Sequence, residues 1–597
     1  MIVSESNFFK VLDFLKSKDD LALDTETTGL LFEDKLFSII ISFGDDGRMG
    51  GYYFNFNTDI DVEGNLPPRI LPRHWIGCLG TLFADPDKTW YLHNAVFDLG
   101  MLLKEGVCLL GTIHCTLTTE RIIRNNLPSY SLSKLVQNYQ IGEKLEDKVK
   151  KYITKHRLFT KQEVPGKTRT DRKPHYNKVP FDMIVEYGIK DAELTFKLGR
   201  RQRQYINKNQ MLIPVATNER KLSSVCAAMC FLGIKLDTAY TKQMFDKQTE
   251  ELEDLKRQFS SETETTFTRS TKNLLDTFQK FGLRVPLTSK GNPSFSSTVL
   301  ENINHPIPKL ILKIRKLEKF IGTYYSSFLY YKDSRDIIHP SMHQAGTETG
   351  RFSYSMPNLQ NVPKNAEVRR CFTARSDDYQ LVGIDYDQQE YRIMADRAGE
   401  KSLIDMVMYE GVDVHTATAK MMDVSRTVAK TVNFMLLYGG GAQKLADTLN
   451  ISLEEAQILK NLYFSKLPQI GKFINKVKAT GANFGHIHNF LHRRFSCKKD
   501  ETYKLPNHLI QGSGADVIKI AMVRLYEYLL PKKSNMILQV HDELLFEIHK
   551  RELDILPKIK EIMCDAYQPK NGLELSVEDT FYKNWGEELG QETRNAI

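Results

Sequence analysis

Through the first 200 residues, short apolar runs alternate with longer stretches whose apolar positions recur every three or four residues. Leu21 to Leu23, Phe37 to Phe43 and Thr89 to Leu92 are strand-sized, which predicts an α/β unit. From about 206 to 330 the helical spacing dominates. It is clearest over Glu219 to Leu232, Gln243 to Phe259 and Ile307 to Leu329, and Pro286 to Pro293 with Gly291 makes a turn-rich break. Beyond 335, strand-like pieces at Gln380 to Ile384, Met536 to Val540 and Leu544 to Ile548 flank a helix-rich middle from about 400 to 530. No internal repeat or low-complexity segment interrupts this order. The pattern predicts a multidomain chain of α/β and α+β parts.

Composition narrows the picture. The chain has 597 residues, 41% hydrophobic and 26% charged, enough for several packed cores and too much for a disordered chain or one small module. Its eight cysteines form no CxxC pair, so neither a disulfide framework nor a zinc site is expected. The longest strongly apolar run, Leu36 to Phe43, is broken by Ser38 and Ser42 and is too short to span a bilayer. The N-terminus resembles neither a signal nor a transit peptide. A soluble cytoplasmic protein without membrane contact is expected, at the nucleoid or in a host cytoplasm. The formal charge is +8, and the segment Lys144 to Lys178 accounts for all of it, with twelve Lys/Arg against Glu146, Asp147, Glu163 and Asp171. Such a segment reads as a solvated loop or as a track for an acidic partner such as nucleic acid.

The acids carry the chemistry. Leu21-Ala22-Leu23-Asp24-Thr25-Glu26 reads as a strand running into acid, and residues two apart on a strand point the same way, so Asp24 and Glu26 can share a metal. His93-Asn94-Ala95-Val96-Phe97-Asp98 offers a third carboxylate, and Tyr187-Gly188-Ile189-Lys190-Asp191 a fourth with Tyr187 one helical turn before it. Four such groups crowd together only with cations, and two divalent ions roughly 4 Å apart suit phosphodiester cleavage. A second set lies far downstream. Gln380 to Asp385 is an apolar strand ending in acid, and Met536 to Phe546 reads as a tight hairpin with His541, Asp542 and Glu543 at its bend. Side by side, those strands would let Asp385 and Asp542 hold a metal pair. Between them, Arg426, Lys430, Phe434 and Tyr438 recur every four residues along one helix face, cations toward its N-terminus and aromatics after them, before Gly439 to Gly441 end the helix. That order favours a triphosphate followed by a stacked base.

These motifs resemble two known sets. Asp24-Thr25-Glu26-Thr27, Asn94 to Asp98, and Tyr187 with Asp191 are similar to the three motifs of the DEDD 3′-5′ exonucleases, in the variant with tyrosine. Asp385-Tyr386-Asp387-Gln388-Gln389-Glu390-Tyr391-Arg392, the Arg426 to Gly439 helix and Val540-His541-Asp542-Glu543 resemble the polymerase motifs of family-A DNA polymerases. So do Gly346 to Ser353, Pro357 to Pro363, Asp413 to Ala419 and Asn507 to Lys519, while Gly233 to Asp237 and Thr288 to Ser294 look like thumb-region sequences. The likeness spans essentially the whole chain.

The resemblance implies an RNase H-like exonuclease at 1–205 followed by a right-hand polymerase: thumb at 206–334, palm at 335–400 and 505–597, fingers at 401–504. It implies a template-directed DNA polymerase with proofreading, of phage replicative type, without a 5′-nuclease domain or a thioredoxin-type clamp, and monomeric. Two Mg²⁺ per site are implied, with Mn²⁺ as a substitute. Partners would be primer-template DNA, deoxynucleoside triphosphates and single-stranded DNA 3′ ends. Asp24, Glu26, Asp98 and Asp191 would bind metal with Tyr187 orienting water; Asp385, Tyr386 and Asp542 would bind the polymerase metals, with Glu543 and Lys430 also catalytic. Arg426, Lys430 and His415 would meet the triphosphate, Phe434 the incoming nucleotide, Tyr438 the templating position and Glu390 the sugar; Tyr386, Gln388, Arg351, Asn507, Gln511 and His541 complete the substrate contacts. Phe434 in place of tyrosine implies discrimination against dideoxynucleotides, and equal incorporation of dideoxy and deoxy substrates would refute it. Asp387, Gln389 and His492 depart from the usual Ser, Ile and Gly. A nuclease whose second half only grips DNA is the competing reading.

Overall fold

The structure, a computed structural model, describes residues 1–45, 48–165, 170–288 and 290–590. Its N-terminal unit is built on five strands: β1 (Asp20–Thr27), β2 (Leu36–Asp45), β3 (Arg48–Asn55), β4 (Thr89–Leu92) and β5 (Thr112–Cys115). They are ordered β3-β2-β1-β4-β5, with β1 antiparallel to β2, β2 antiparallel to β3, and β4 parallel to both β1 and β5. Leu21, Ala22 and Leu23 are all fully buried, so β1 is central and covered on both faces, as a continuous apolar run requires. The 28-residue helix Phe181–Lys208 lies across β1, β2 and β3. Gly188 allows that approach, since a Cβ there would stand only 3.1 Å from Ile40 Cγ1. The close contact brings Tyr187 and Asp191 to the strand that carries Asp24 and Glu26.

The chain from 206 to 334 is helical as expected, but it serves more than one core. Helix Ile213–Leu232 buries residues around most of its circumference: Ala227 joins the core of the N-terminal unit, while Leu222, Val225, Cys226 and Met229 join that of the C-terminal half. Ile234–Leu236 then pairs between Ile337–Ile338 and Phe372–Thr373 in a small sheet. Only residues from about 252 to 317 form a separate core, around Phe259, Phe278 and Ile311. A helix apolar on several faces has to be packed from several sides, so an element placed in one lobe by its sequence bridges two.

The C-terminal half is organised by a second sheet. Its strands are β6 (Tyr379–Tyr386), β7 (Asn535–Val540), β8 (Glu543–His549), β9 (Val577–Asn584) and β10 (Glu587–Glu588), ordered β7-β8-β6-β9-β10 and antiparallel throughout. β6 is central, and Asp385 pairs with Glu543 on one side and Glu578 on the other. Helix Leu505–Leu529, buried along most of its length, packs against helices Ile213–Leu232 and Gln389–Ala398. Among the described residues no helix is long and apolar enough to cross a membrane.

Two candidate active sites

In the N-terminal unit Asp24 and Glu26 end the central strand, Asp98 stands in the first turn of helix Ala95–Lys104, and Asp191 with Tyr187 comes from helix Phe181–Lys208. Thr25 joins them by donating through its amide (3.1 Å) and hydroxyl (2.6 Å) to Asp98 Oδ1. Burial and mutual repulsion raise these acids. Asp24 is pushed far above the carboxylate range by burial and then by Glu26, Asp98 and Asp191. Glu26 reaches about 8, and Asp98 reaches about 7 through burial against the pull of Thr25. The Tyr187 hydroxyl is raised by burial and by Glu26 and Asp191.

A cation lies among them. Lys144 Nζ is 2.7 Å from Asp191 Oδ2 and 5.3 Å from the centre of the Tyr187 ring. Burial alone would lower this ammonium, but Asp191, Glu146 and Asp24 raise it on balance. Among the described residues no three acids, histidines or cysteines close into a finished metal cage. The sequence does not single Lys144 out, because it is the first of twelve cations in the basic segment. That segment is also not the uniform charged track its count implied. Part of it is helix Glu146–Lys155 and a hairpin of Phe159–Gln162 with Asp171–Pro174. Lys148 pairs with Glu186 at 2.7 Å, Lys150 with Glu146, and Lys173 with Asp34, so part of the charge is matched inside the N-terminal unit. Lys167 and Arg169 lie outside the described residues.

The second site forms at the end of β6. The Tyr386 amide donates to the Asp542 carbonyl (3.3 Å), which brings Asp385 and Asp542 together across the 157 residues between them. Burial, then Asp542 and Glu543, pushes the Asp385 carboxyl up to about 8 against Lys364, and its Oδ1 is buried without a hydrogen-bond partner. Glu543 turns back under the sheet toward Arg369 (3.6 Å) and the Tyr582 hydroxyl (3.3 Å); its carboxylate fills the space a Cβ at Gly383 would need. The Tyr386 side chain is turned away from this site. Its phenol is buried and donates to the Met563 carbonyl (2.6 Å), so only its main chain remains for a metal or substrate.

A cavity of about 270 Å³ opens beside these acids. Asp542, His541, Arg351, Glu390 and Gln388 line it, facing His415, Phe434, Tyr438 and Gln511. Glu390 is raised by burial but held by Arg351 and by the Tyr438 hydroxyl, which donates to it at 2.8 Å. The Phe434 and Tyr438 rings lie nearly parallel, 6.1 Å apart. His415, lowered to about 4 chiefly by burial, contacts Asn433 at 2.9 Å through Nδ1 and packs on Phe434. Arg426 and Lys430 do not line the cavity and are exposed on helix Arg426–Leu437. Arg426 pairs with Asp413 (3.2 Å), the N-cap of helix Val414–Met422, whose carboxyl is held at about 2 by the Thr416 hydroxyl and Arg426 despite burial. Asn507 stands one turn before Gln511 on helix Leu505–Leu529, its Oδ1 buried and unpartnered.

The three departures each have a physical setting. Asp387 turns from the acids to Arg392 (2.9 Å) and accepts from the Gln388 side-chain amide (2.8 Å), so its extra charge is matched locally. His492 has a φ of 63°, a left-handed backbone that glycine adopts most easily. Gln389 is buried against Gly514 and lines the cavity with its Nε2 unpartnered.

Comparison with known proteins agrees with this layout. The family model described as DNA polymerase family A matches residues 238–587, and one described as 3′-5′ exonuclease matches residues 1–203. DNA polymerase I of Helicobacter pylori is 33% identical over 447 residues, 69% of this chain and 49% of that protein. The thermostable DNA polymerase I of Thermus aquaticus is 34% identical over 396 residues, 60% and 47% respectively. DNA polymerase I of Treponema pallidum is 28% identical over 532 residues, 84% of this chain and 51% of that protein. The chain thus spans about half the length of the curated relatives it matches. Among solved structures, the polymerase domain of Pol1 from M. smegmatis, in complex with DNA primer-template and dNTP, superimposes with a TM-score of 0.81. It covers 98% of this chain and 99% of that one at 23% identity, a likeness of fold. With the family-A model running over more than half of its length, the chain belongs to DNA polymerase family A and opens with a 3′-5′ exonuclease domain.

Proposed function

We propose that the chain is a template-directed DNA polymerase that extends a primer 3′ end and removes misincorporated nucleotides at a separate 3′-5′ exonuclease site. The observation that carries this reading is the placement of Asp385 beside Asp542, which lines a cavity walled by Glu390, Phe434 and Tyr438. On this reading the fingers are 401–504 and the palm 335–400 and 505–597, and the thumb's free part is about 252–317.

The donors at both sites are hard carboxylate oxygens, of the kind Mg²⁺ and Mn²⁺ take. Asp385 Oδ1 and Asp191 Oδ1 are buried without partners, so the residues fit divalent ions. Asp385, Asp542 and the Tyr386 main chain would hold one pair, and Asp24, Glu26, Asp98 and Asp191 the other. When bound, such ions activate the attacking oxygen and neutralise the phosphoryl group. The chain's own groups do the rest. Arg426 and Lys430 bind the triphosphate at the positive end of their helix, with His415 beside them. Phe434 packs on the incoming nucleotide, and Tyr438 stacks at the templating position. Glu390, fixed by Arg351 and Tyr438, fills the space beneath the sugar and excludes a 2′-hydroxyl. Arg351, Gln511 and Asn507 read the minor-groove acceptors that correct pairs share, and His541 abuts the primer terminus. In the nuclease, Tyr187 orients the attacking water.

Primer extension by purified protein with magnesium and four deoxynucleoside triphosphates tests the reading. Templated elongation is expected. Shortening of the primer with no elongation under any metal would leave only a nuclease that grips DNA.

A further inference from the structure

A second cavity, of about 310 Å³, lies on the seam between the nuclease and polymerase halves, outside both acid clusters. A single water needs roughly 15 Å³ on the same kind of measure, so this one admits a much larger group. One wall is nuclease: Asn94 to Val96, the turn leading to Asp98, and Arg121 from helix Thr116–Ile123. The other is polymerase: Met342 to Gly346, where the Gly346 amide donates to the carbonyl of Arg351 at 2.9 Å. The cavity therefore begins within a turn of the nuclease acids and ends at the loop carrying Arg351.

Its chemistry is one-sided. No aspartate or glutamate lines it. Arg121 is half-buried, and among the described residues it forms no ion pair; its Nε is buried without a partner. Its guanidinium lies 4.0 Å from the centre of the Tyr130 ring, whose hydroxyl is already donated to the Arg124 carbonyl (2.7 Å). Arg124, one turn on, has Glu120 at 2.6 Å, so the same helix matches one arginine and leaves the other without an anion. The imidazole of His343, which also lines the cavity, is lowered by burial and then by Arg121. An unpaired guanidinium drawn partly out of water is stabilised by an anion that takes two of its N–H groups, and phosphate fits that fork.

We propose that this cavity is a phosphodiester-binding station for the single primer strand as its 3′ end passes between the polymerase and nuclease sites, with Arg121 as the anion-binding group. The inference rests on the two-site reading above. Arg121→Gln is tested in three assays: extension of a matched primer, degradation of a free single strand, and excision of a mismatched 3′ nucleotide from primer-template. Extension and single-strand degradation are expected to hold. Mismatch excision should fall about tenfold, the size of one charge-assisted contact, with a salt slope shallower by roughly 0.7. Ser131→Asp is the second variant. Ser131 caps its helix by accepting from the Lys134 amide, a role aspartate also performs, and it places a carboxylate in the cavity. It should reproduce the deficit without loss of fold. Unchanged mismatch excision in both variants overturns the proposal, as does a parallel fall in single-strand degradation, which would mean damage to the nuclease. Failure of the two-site reading would show separately, as absent extension or absent degradation by the unaltered protein.

Discussion

The two acid clusters solve the same electrostatic problem differently. In the nuclease, four carboxylates are gathered from three elements and an ammonium is built in among them, Lys144 against Asp191. At the end of β6, Asp385 has no ion pair among the described residues, Lys364 acts on it through space, and its Oδ1 is unpartnered. A cluster with its own counter-charge can assemble before metal arrives. Both clusters hold raised carboxyls, but the first also has an ammonium 2.7 Å from one of its acids.

The largest expected effect separates the sites outright. Asp385→Ala or Asp542→Ala should lower extension at least about a hundredfold while leaving 3′ degradation intact, and Asp24→Ala should do the reverse. One substitution that removes both activities in a folded protein would collapse the distinction. Lys144→Met is sharper. At about pH 8 in chelator it should destabilise the protein by roughly 1–3 kcal/mol, with Mn²⁺ restoring stability and extension unchanged. Equal thermal unfolding of variant and parent would show that the ammonium does not hold the acids together.

The pH dependence probes both clusters together. Glu26, Asp98 and Asp385 stand at about 8, 7 and 8 in the folded chain against 4.5, 3.8 and 3.8 otherwise. The folded protein thus keeps protons that the unfolded chain releases near pH 4, and the stability these groups contribute is complete below that value and lost as pH rises through 7 to 8. In chelator the melting temperature should fall from about pH 5 to about pH 9, and magnesium should recover it at the alkaline end; a flat profile would break the shared picture. The smallest effect is at the sugar gate. Tyr438→Phe removes the 2.8 Å bond to Glu390 but leaves Arg351, so discrimination against ribonucleotides should drop severalfold, less than in Glu390→Ala. Equal losses would mean that Tyr438 alone positions the carboxylate.

Much of this was legible in the chain because strands and helices with a strong period announce themselves. Asp24 and Glu26 end a continuous apolar run, and His541 to Glu543 stand between two alternating ones. What stayed hidden depends on distance in sequence. β9, Val-Glu-Asp-Thr-Phe-Tyr-Lys-Asn, is only partly buried, so its pairing with β6 leaves no apolar pattern. Lys144 looks like its eleven basic neighbours until the helix carrying Asp191 packs beside it. The Tyr386 phenol is claimed by Met563, 177 residues away. Local pattern also cannot say that helix Ile213–Leu232 belongs to two cores.

That helix has a consequence for how such a protein can evolve. Ala227 is part of the nuclease interior while Val225 and Cys226 are part of the polymerase interior. The N-terminal and C-terminal halves therefore share a wall, unlike two beads joined by a tether. Exchange of either half with a distant relative would bare an apolar face unless the helix travelled with it and matched both sides. Recombination within the lineage is constrained to move the pair together, and loss of editing should come more readily by decay of the acids than by excision of the domain.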